Sequence, residues 1–124
     1  MKLIDDFFTV ADCRVDDSGS LYTMNVNAAH PIFSVHFPGN PITPGVCIVQ
    51  LIKELWEQQS RTQAFLKRIN NVKFLAVINP LETPTVRVKL SIPQSVDGGH
   101  KISATLDCGD RQFAKLTVTF TDRQ

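Results

Sequence analysis

The apolar side chains Ile48, Leu51, Ile52 and Leu55 recur at i, i+3, i+4 and i+7, the spacing of one face of an α-helix. The rest of the chain has to be arranged around this one principal helix, which is expected to run from Gly45 to about Gln59 with Pro44 in its first turn. On either side the pattern changes to period two. Phe8 to Val15 and Leu21 to Asn27 read as strands joined by the turn residues Asp17, Ser18 and Gly19, and so as a hairpin. Four more strands follow the helix, in Asn71 to Ile78, Thr85 to Ile92, Lys101 to Cys108 and Phe113 to Thr121, with turns at Asp97-Gly98-Gly99 and Gly109-Asp110. Two strands, a helix and four strands make an α+β domain whose mainly antiparallel sheet can wrap around the helix. With 124 residues there is room for one core, so residues 1–124 are read as a single domain. The helix is not apolar all round, because Gln50, Glu54 and Glu57 lie together opposite its apolar face. They form either a solvated stripe or the wall of a cavity or subunit interface, and spacing does not choose.

Composition removes several functions. Hydrophobic residues at 43% and charged residues at 20% are those of an ordinary folded domain. A formal net charge of +1, without a block of like charges, gives no footprint for gripping a nucleic acid backbone. The most apolar stretch, Val46 to Ile52, is interrupted by Gln50 and stops at Lys53, far short of the roughly 20 residues that cross a bilayer. Asp5 and Asp6 break the region where a secretory signal would be apolar, so a cytosolic location is expected. Cys13, Cys47 and Cys108 contain no CxxC pair and read as buried free thiols rather than as disulfide or zinc ligands. His30 and His36 are spaced around a proline as no standard metal site is, and His100 stands beside a Gly-Gly turn, so neither a metal nor another cofactor is expected.

The most specific text is His36-Phe37-Pro38-Gly39-Asn40-Pro41-Ile42-Thr43-Pro44-Gly45-Val46, which runs directly into the helix. A histidine titrates near neutrality, so in a closed apolar pocket His36 can take a proton from a carbon acid and return it. Gly45 and its neighbour Val46 open the helix, where unpaired N–H groups at the positive end of the dipole can hold an oxyanion. Pro38, Pro41 and Pro44 stiffen the connection and would fix the distance between imidazole and helix.

This segment resembles the hotdog-fold 3-hydroxyacyl-acyl carrier protein dehydratases of fatty acid synthesis, which carry a catalytic His in HFPG, then P-x-x-PG, then the central helix. The likeness continues in the approach HPIFSVHFPG and in INNVKFLAVINPL from Ile69 to Leu81, similar to that family's strand after the helix. The resemblance implies a hotdog fold, a hydro-lyase acting on acyl carrier protein or CoA thioesters, and a homodimer or higher oligomer of dimers. It also implies substrate contacts at Phe37, Pro38, Gly39, Pro44, Gly45 and Val46.

One position departs from the pattern. The resembled family places a Glu or Asp fourteen residues after the His, contributed across the dimer interface to protonate the leaving hydroxyl. Here the residue at that place, 50 minus 36, is Gln50, whose carboxamide has no acidic proton to give. Three readings follow: a dehydratase using Glu54, one turn further along, as its acid; an enzyme for another acyl thioester, such as a thioesterase or one handling a polyene precursor; or a non-catalytic acyl-thioester-binding protein. Arg61, Lys67 and Arg68 after the helix are candidates for docking an acidic carrier protein.

Overall fold

The computed structural model describes residues 2–35 and 41–122. In chain order the elements are β1 (Phe8–Asp16), β2 (Gly19–Val26), α1 (Ile32–Val35), α2 (Gly45–Ser60), β3 (Phe65–Phe74), β4 (Thr85–Ser91), β5 (Gln94–Val96), β6 (Gly99–Asp107) and β7 (Gln112–Thr121). The strands pair antiparallel in the order β1-β2-β4-β6-β7-β3, with the short β5 beside β6. The expected hairpin is β1 with β2, paired from Phe8↔Val26 to Asp16↔Gly19.

Alternation sorts each central strand into two faces. In β4 Val86, Val88 and Leu90 are buried while Thr85, Arg87 and Lys89 are exposed. β6 repeats this with Ile102, Ala104 and Leu106, and β7 with Leu116, Val118 and Phe120. These side chains join Ile48, Leu51, Ile52 and Leu55 of α2 in one buried cluster. Leu51 and Ile52 are fully enclosed, each worth about 1.5–3 kcal/mol of burial. The helix ends at Arg61, in the left-handed conformation at φ 57°, whose N–H bonds to the Glu57 carbonyl.

The fold corrects the sequence reading in three places. The strand expected over Asn71 to Ile78 is β3, which begins at Phe65 and ends at Phe74. Two bulges, at Leu66/Arg68 and Ile69/Asn71, break its period-two pattern. Beyond Phe74 the chain leaves the sheet, with Leu75 and Ala76 N–H both turned to the Phe113 carbonyl. Second, α1 and β5, at four and three residues, are too short to show a period. Third, Cys13 is exposed on β1, Cys108 is half-buried, and only Cys47 has the enclosed position expected of all three.

The N-terminal segment adds a layer the strand pattern does not reveal. Leu3, Ile4 and Phe7 are buried, and the Leu3 carbonyl accepts from the N–H groups of Asp6, Phe7 and Phe8 at 3.1, 2.7 and 3.0 Å. This tight turn packs Phe7 against Phe33 of α1, with ring centroids 5.2 Å apart. His30 is used here structurally: its Nε2 bonds to the Asp6 carboxylate at 3.0 Å while its Nδ1 accepts from Ile32 N–H at 3.1 Å.

Candidate active site

Helix α2 starts directly after Pro44, whose extended backbone at φ −64° and ψ 144° makes no side-chain cap. The first helical donors to be satisfied are Cys47 and Ile48, both turned to the Pro44 carbonyl at 3.0 and 3.4 Å. The N–H groups of Gly45 and Val46 precede that ladder, and Val46 is largely exposed at 68%. The segment entering the helix is tied to the connection after β3 by Thr43 N–H, which donates to the Ile78 carbonyl at 2.9 Å. His36, Phe37, Pro38 and Gly39 lie outside the described residues.

Gly45 has a packing role that sequence alone does not show. A Cβ there would stand 2.7 Å from Cζ of the Phe74 ring, a distance at which the ring would have to move. The missing side chain therefore brings the end of β3 against the first turn of α2, and Phe74 keeps 53% of its surface exposed. Phe74 is a residue that spacing could not find, because its partner lies across the fold. Cys47, one turn into the helix, is not a nucleophile for this site: burial pushes its thiol above the ordinary range.

The polar face of α2 is a cleft wall rather than a solvated stripe. Gln50, Lys53, Glu54 and Glu57, with Lys2 and Ile4 from the N-terminal turn, line a cleft of about 410 Å³. Each carboxylate in it is engaged. Glu57 accepts from Ala64 N–H at 2.9 Å, fixing the loop into β3. Glu54 is only 6% exposed; both of its oxygens accept from Leu3 N–H at 2.8 Å and one also from Ile4 N–H at 2.9 Å. Gln50 Nε2 donates to the other Glu54 oxygen at 3.0 Å. The two members of this face expected to do chemistry, Gln50 and Glu54, are thus in contact with each other.

Among the described residues no group of three or more His, Cys, Asp or Glu is arranged to hold a metal ion. No helix among them is long and apolar enough to cross a membrane.

An antiparallel sheet wrapped around one long helix, with the helix's polar face lining a cleft, defines a hotdog-fold protein. Residues 12–113 match the family model described as ApeI dehydratase, and the chain belongs to this ApeI-like dehydratase family. It is also 33% identical over 101 residues to the 3-hydroxyacyl-[acyl-carrier-protein] dehydratase FabZ of Latilactobacillus sakei, covering 75% of this chain and 71% of that protein. The FabZ of Lactiplantibacillus plantarum is 28% identical over 118 residues, covering 86% and 79%. Among solved structures, the dehydratase heterocomplex ApeI:P from Xenorhabdus doucetiae superposes with a TM-score of 0.72 at 15% identity, covering 91% of this chain and 96% of that one. A putative thioesterase, yhdA from Lactococcus lactis, superposes with a TM-score of 0.65 at 13% identity, covering 94% and 91%.

Proposed function

We propose that the protein dehydrates 3-hydroxyacyl thioesters to 2-enoyl thioesters. The observation that carries this is membership of a dehydratase family combined with an HFPG-to-PG segment that runs straight into the uncapped start of α2. In this reading the neutral His36 imidazole takes the C2 proton, and the electron pair moves into the thioester carbonyl. Gly45 and Val46 N–H groups hold the resulting enolate oxygen at the positive end of the helix. The carbonyl then re-forms, the C3–O bond breaks, and the imidazolium returns its proton to the departing hydroxyl, which leaves as water. One histidine serves as base and then as acid, so Gln50 has only to orient the hydroxyl. Phe37, Pro38, Gly39 and Pro44 are the substrate-contacting residues of this reading, and the prolines would fix the distance between imidazole and helix. Glu54 is left out of the proton path, because every described contact on its carboxylate comes from a donor.

Two further parts of the reading concern partners. The exposed side of β3 suits a second copy of the chain, giving a homodimer in which Gln50 of one protomer serves His36 of the other. The thioester is carried by acyl carrier protein, an acidic partner for a basic sheet face. On the outward face Lys89, Thr105, Lys115 and Lys73 are cross-strand neighbours in one row, and Lys101, Thr119 and Arg68 form another. Like charges directly opposite, as at Lys73 and Lys115, are destabilising in a sheet, a cost that an acidic partner would offset.

The test is an absorbance assay for reversible hydration of a short 2-enoyl thioester, run beside a thioester hydrolysis assay. Activity in the first supports the proposal. Activity in the second alone makes the protein a thioesterase, and binding without either makes it an acyl-thioester carrier.

A further inference from the structure

We propose that the outward face of the sheet carries a binding site for a phosphate or diphosphate group, built by Lys67, Arg68 and Lys101 beside the turn at Asp97 and Gly98. These three cations, with Asn70, Asp97 and Thr119, line a cavity of about 380 Å³. Neighbours along a regular strand point to opposite faces, so Lys67 and Arg68 would not ordinarily share a cavity. The register of β3 brings them together. Leu66 pairs with Phe120 and Arg68 with Thr119, then Ile69 with Val118 and Asn71 with Thr117. Lys67 and Asn70 are therefore the extra residues of the two bulges, the kind of insertion that re-aims a side chain. Lys101 faces the pair from the other side, because Thr119 is the cross-strand neighbour of both Lys101 and Arg68.

The cations are not neutralised within the protein. Among the described residues the ion pairs join Arg14 to Asp12, His30 to Asp6 and Arg87 to Asp107, and none of the three cavity cations takes part. Lys67 Nζ donates to the Asp97 carbonyl at 3.1 Å. A Cβ on Gly98, at φ 81°, would stand 2.6 Å from that ammonium, so the bare turn leaves the position to Lys67. Asn70 Oδ1, an acceptor that would oppose an anion, is taken by the Thr119 hydroxyl at 2.8 Å, and Thr119 is itself only 6% exposed. Asp97 sets one carboxylate against the three cations. A cleft with an excess of one charge focuses its field on an ion of the other sign, and guanidinium and ammonium groups suit phosphate oxygens. This goes beyond attracting an acidic protein surface, because a cavity with a re-aimed lysine is fitted to one compact anion.

The experiment is calorimetric titration of the full chain with pyrophosphate in a phosphate-free buffer of low ionic strength. Saturable binding is expected, weakened about tenfold by Lys101→Ala and by Arg68→Ala, and tightened about threefold by Asp97→Asn. Lys89→Ala, on the neighbouring row outside the cavity, should change nothing. Non-saturable binding, or a loss in Lys89→Ala equal to that in Lys101→Ala, would overturn the proposal by showing only diffuse charge. A second arm displaces pyrophosphate with coenzyme A and with ADP. Displacement at much lower concentration by coenzyme A assigns the site to the carrier of the thioester, and equal displacement assigns it to a free diphosphate ligand. Both outcomes support the site, and displacement by neither counts against it. The site needs no turnover: a chain that binds pyrophosphate in this way yet hydrates no enoyl thioester keeps the site and loses the dehydratase reading.

Discussion

The strands that end the sheet, β1 and β3, each have one neighbour within the chain, and they treat their other side differently. β1 carries Asp12, Arg14 and Asp16 and a bulge at Val10/Asp12, with Val15 its one large exposed apolar side chain. Charges and a bulge are how a sheet blunts an edge that must stay alone. β3 instead exposes Leu66, Ile69, Val72 and Phe74, and its last residue packs on Gly45 at the start of α2. A strand left this apolar suits the second copy of the chain proposed above. The same strand reaches the helix end where the thioester is proposed to bind, so in the proposed dimer the pairing edge and the site would be one construction. β1 is only a boundary.

The largest expected effect breaks the site without touching either edge. His36→Ala should lower enoyl thioester hydration by about 10²–10⁴, the usual weight of a general acid-base group. The melting temperature should stay near that of the wild type, and wild-type turnover in this variant would remove His36 from the mechanism.

Next come paired substitutions on the two edges. Val72→Asp should weaken self-association by roughly 10²–10⁴, because a charge buried without a partner costs about 3–5 kcal/mol. Sedimentation at micromolar concentration should then show monomer, and activity should fall with the dimer. Val15→Asp on β1 should leave both unchanged. A monomeric wild type, or equal effects at the two edges, would dissolve the contrast between them.

Gln50→Glu sharpens the account of the cleft. The new carboxyl would stand where Nε2 now lies 3.0 Å from Glu54, and two carboxylates that close cannot both stay ionised easily. The newcomer, lacking the backbone donors that hold Glu54, should keep the proton. With His36 serving as both base and acid, dehydration of a 3-hydroxyacyl thioester should change less than about tenfold, and a rise toward 10² would mean that the leaving hydroxyl had lacked an acid. A larger fall would mean that the carboxamide itself is required. A comparable effect, confined to KM, is expected on the outward sheet face: Lys115→Glu should raise KM for an acyl carrier protein substrate about tenfold, and leave KM for the same acyl group on pantetheine alone unchanged.

What was legible in the sequence was local. Ile48, Leu51, Ile52 and Leu55 announce α2 because helical spacing is a short-range property, and β4, β6 and β7 alternate cleanly because one face of each is buried. β3 was placed late by about six residues at its start, 65 against 71, since two bulges hide its period. The pairing of Glu54 with Leu3 and Ile4 spans 51 and 50 residues. The contact of Gly45 with Phe74 likewise crosses the fold. No periodicity encodes such contacts, so Glu54 reads from sequence as a spare acid, whereas its contacts are those of an anchor. His36 was read from its motif alone and lies outside the described residues.

The central claim is that the β3 edge brings His36 of one protomer to Gln50 of its partner. Mixing His36→Ala chains with Gln50→Ala chains under conditions of subunit exchange tests it directly. In a two-fold dimer with shared sites, each mixed pair rebuilds one intact site, so the mixture should recover about a quarter of wild-type turnover from two stocks that each have far less. A mixture as inactive as either stock, although sedimentation and labelled subunits show that exchange has occurred, would place both residues within one chain and contradict the account.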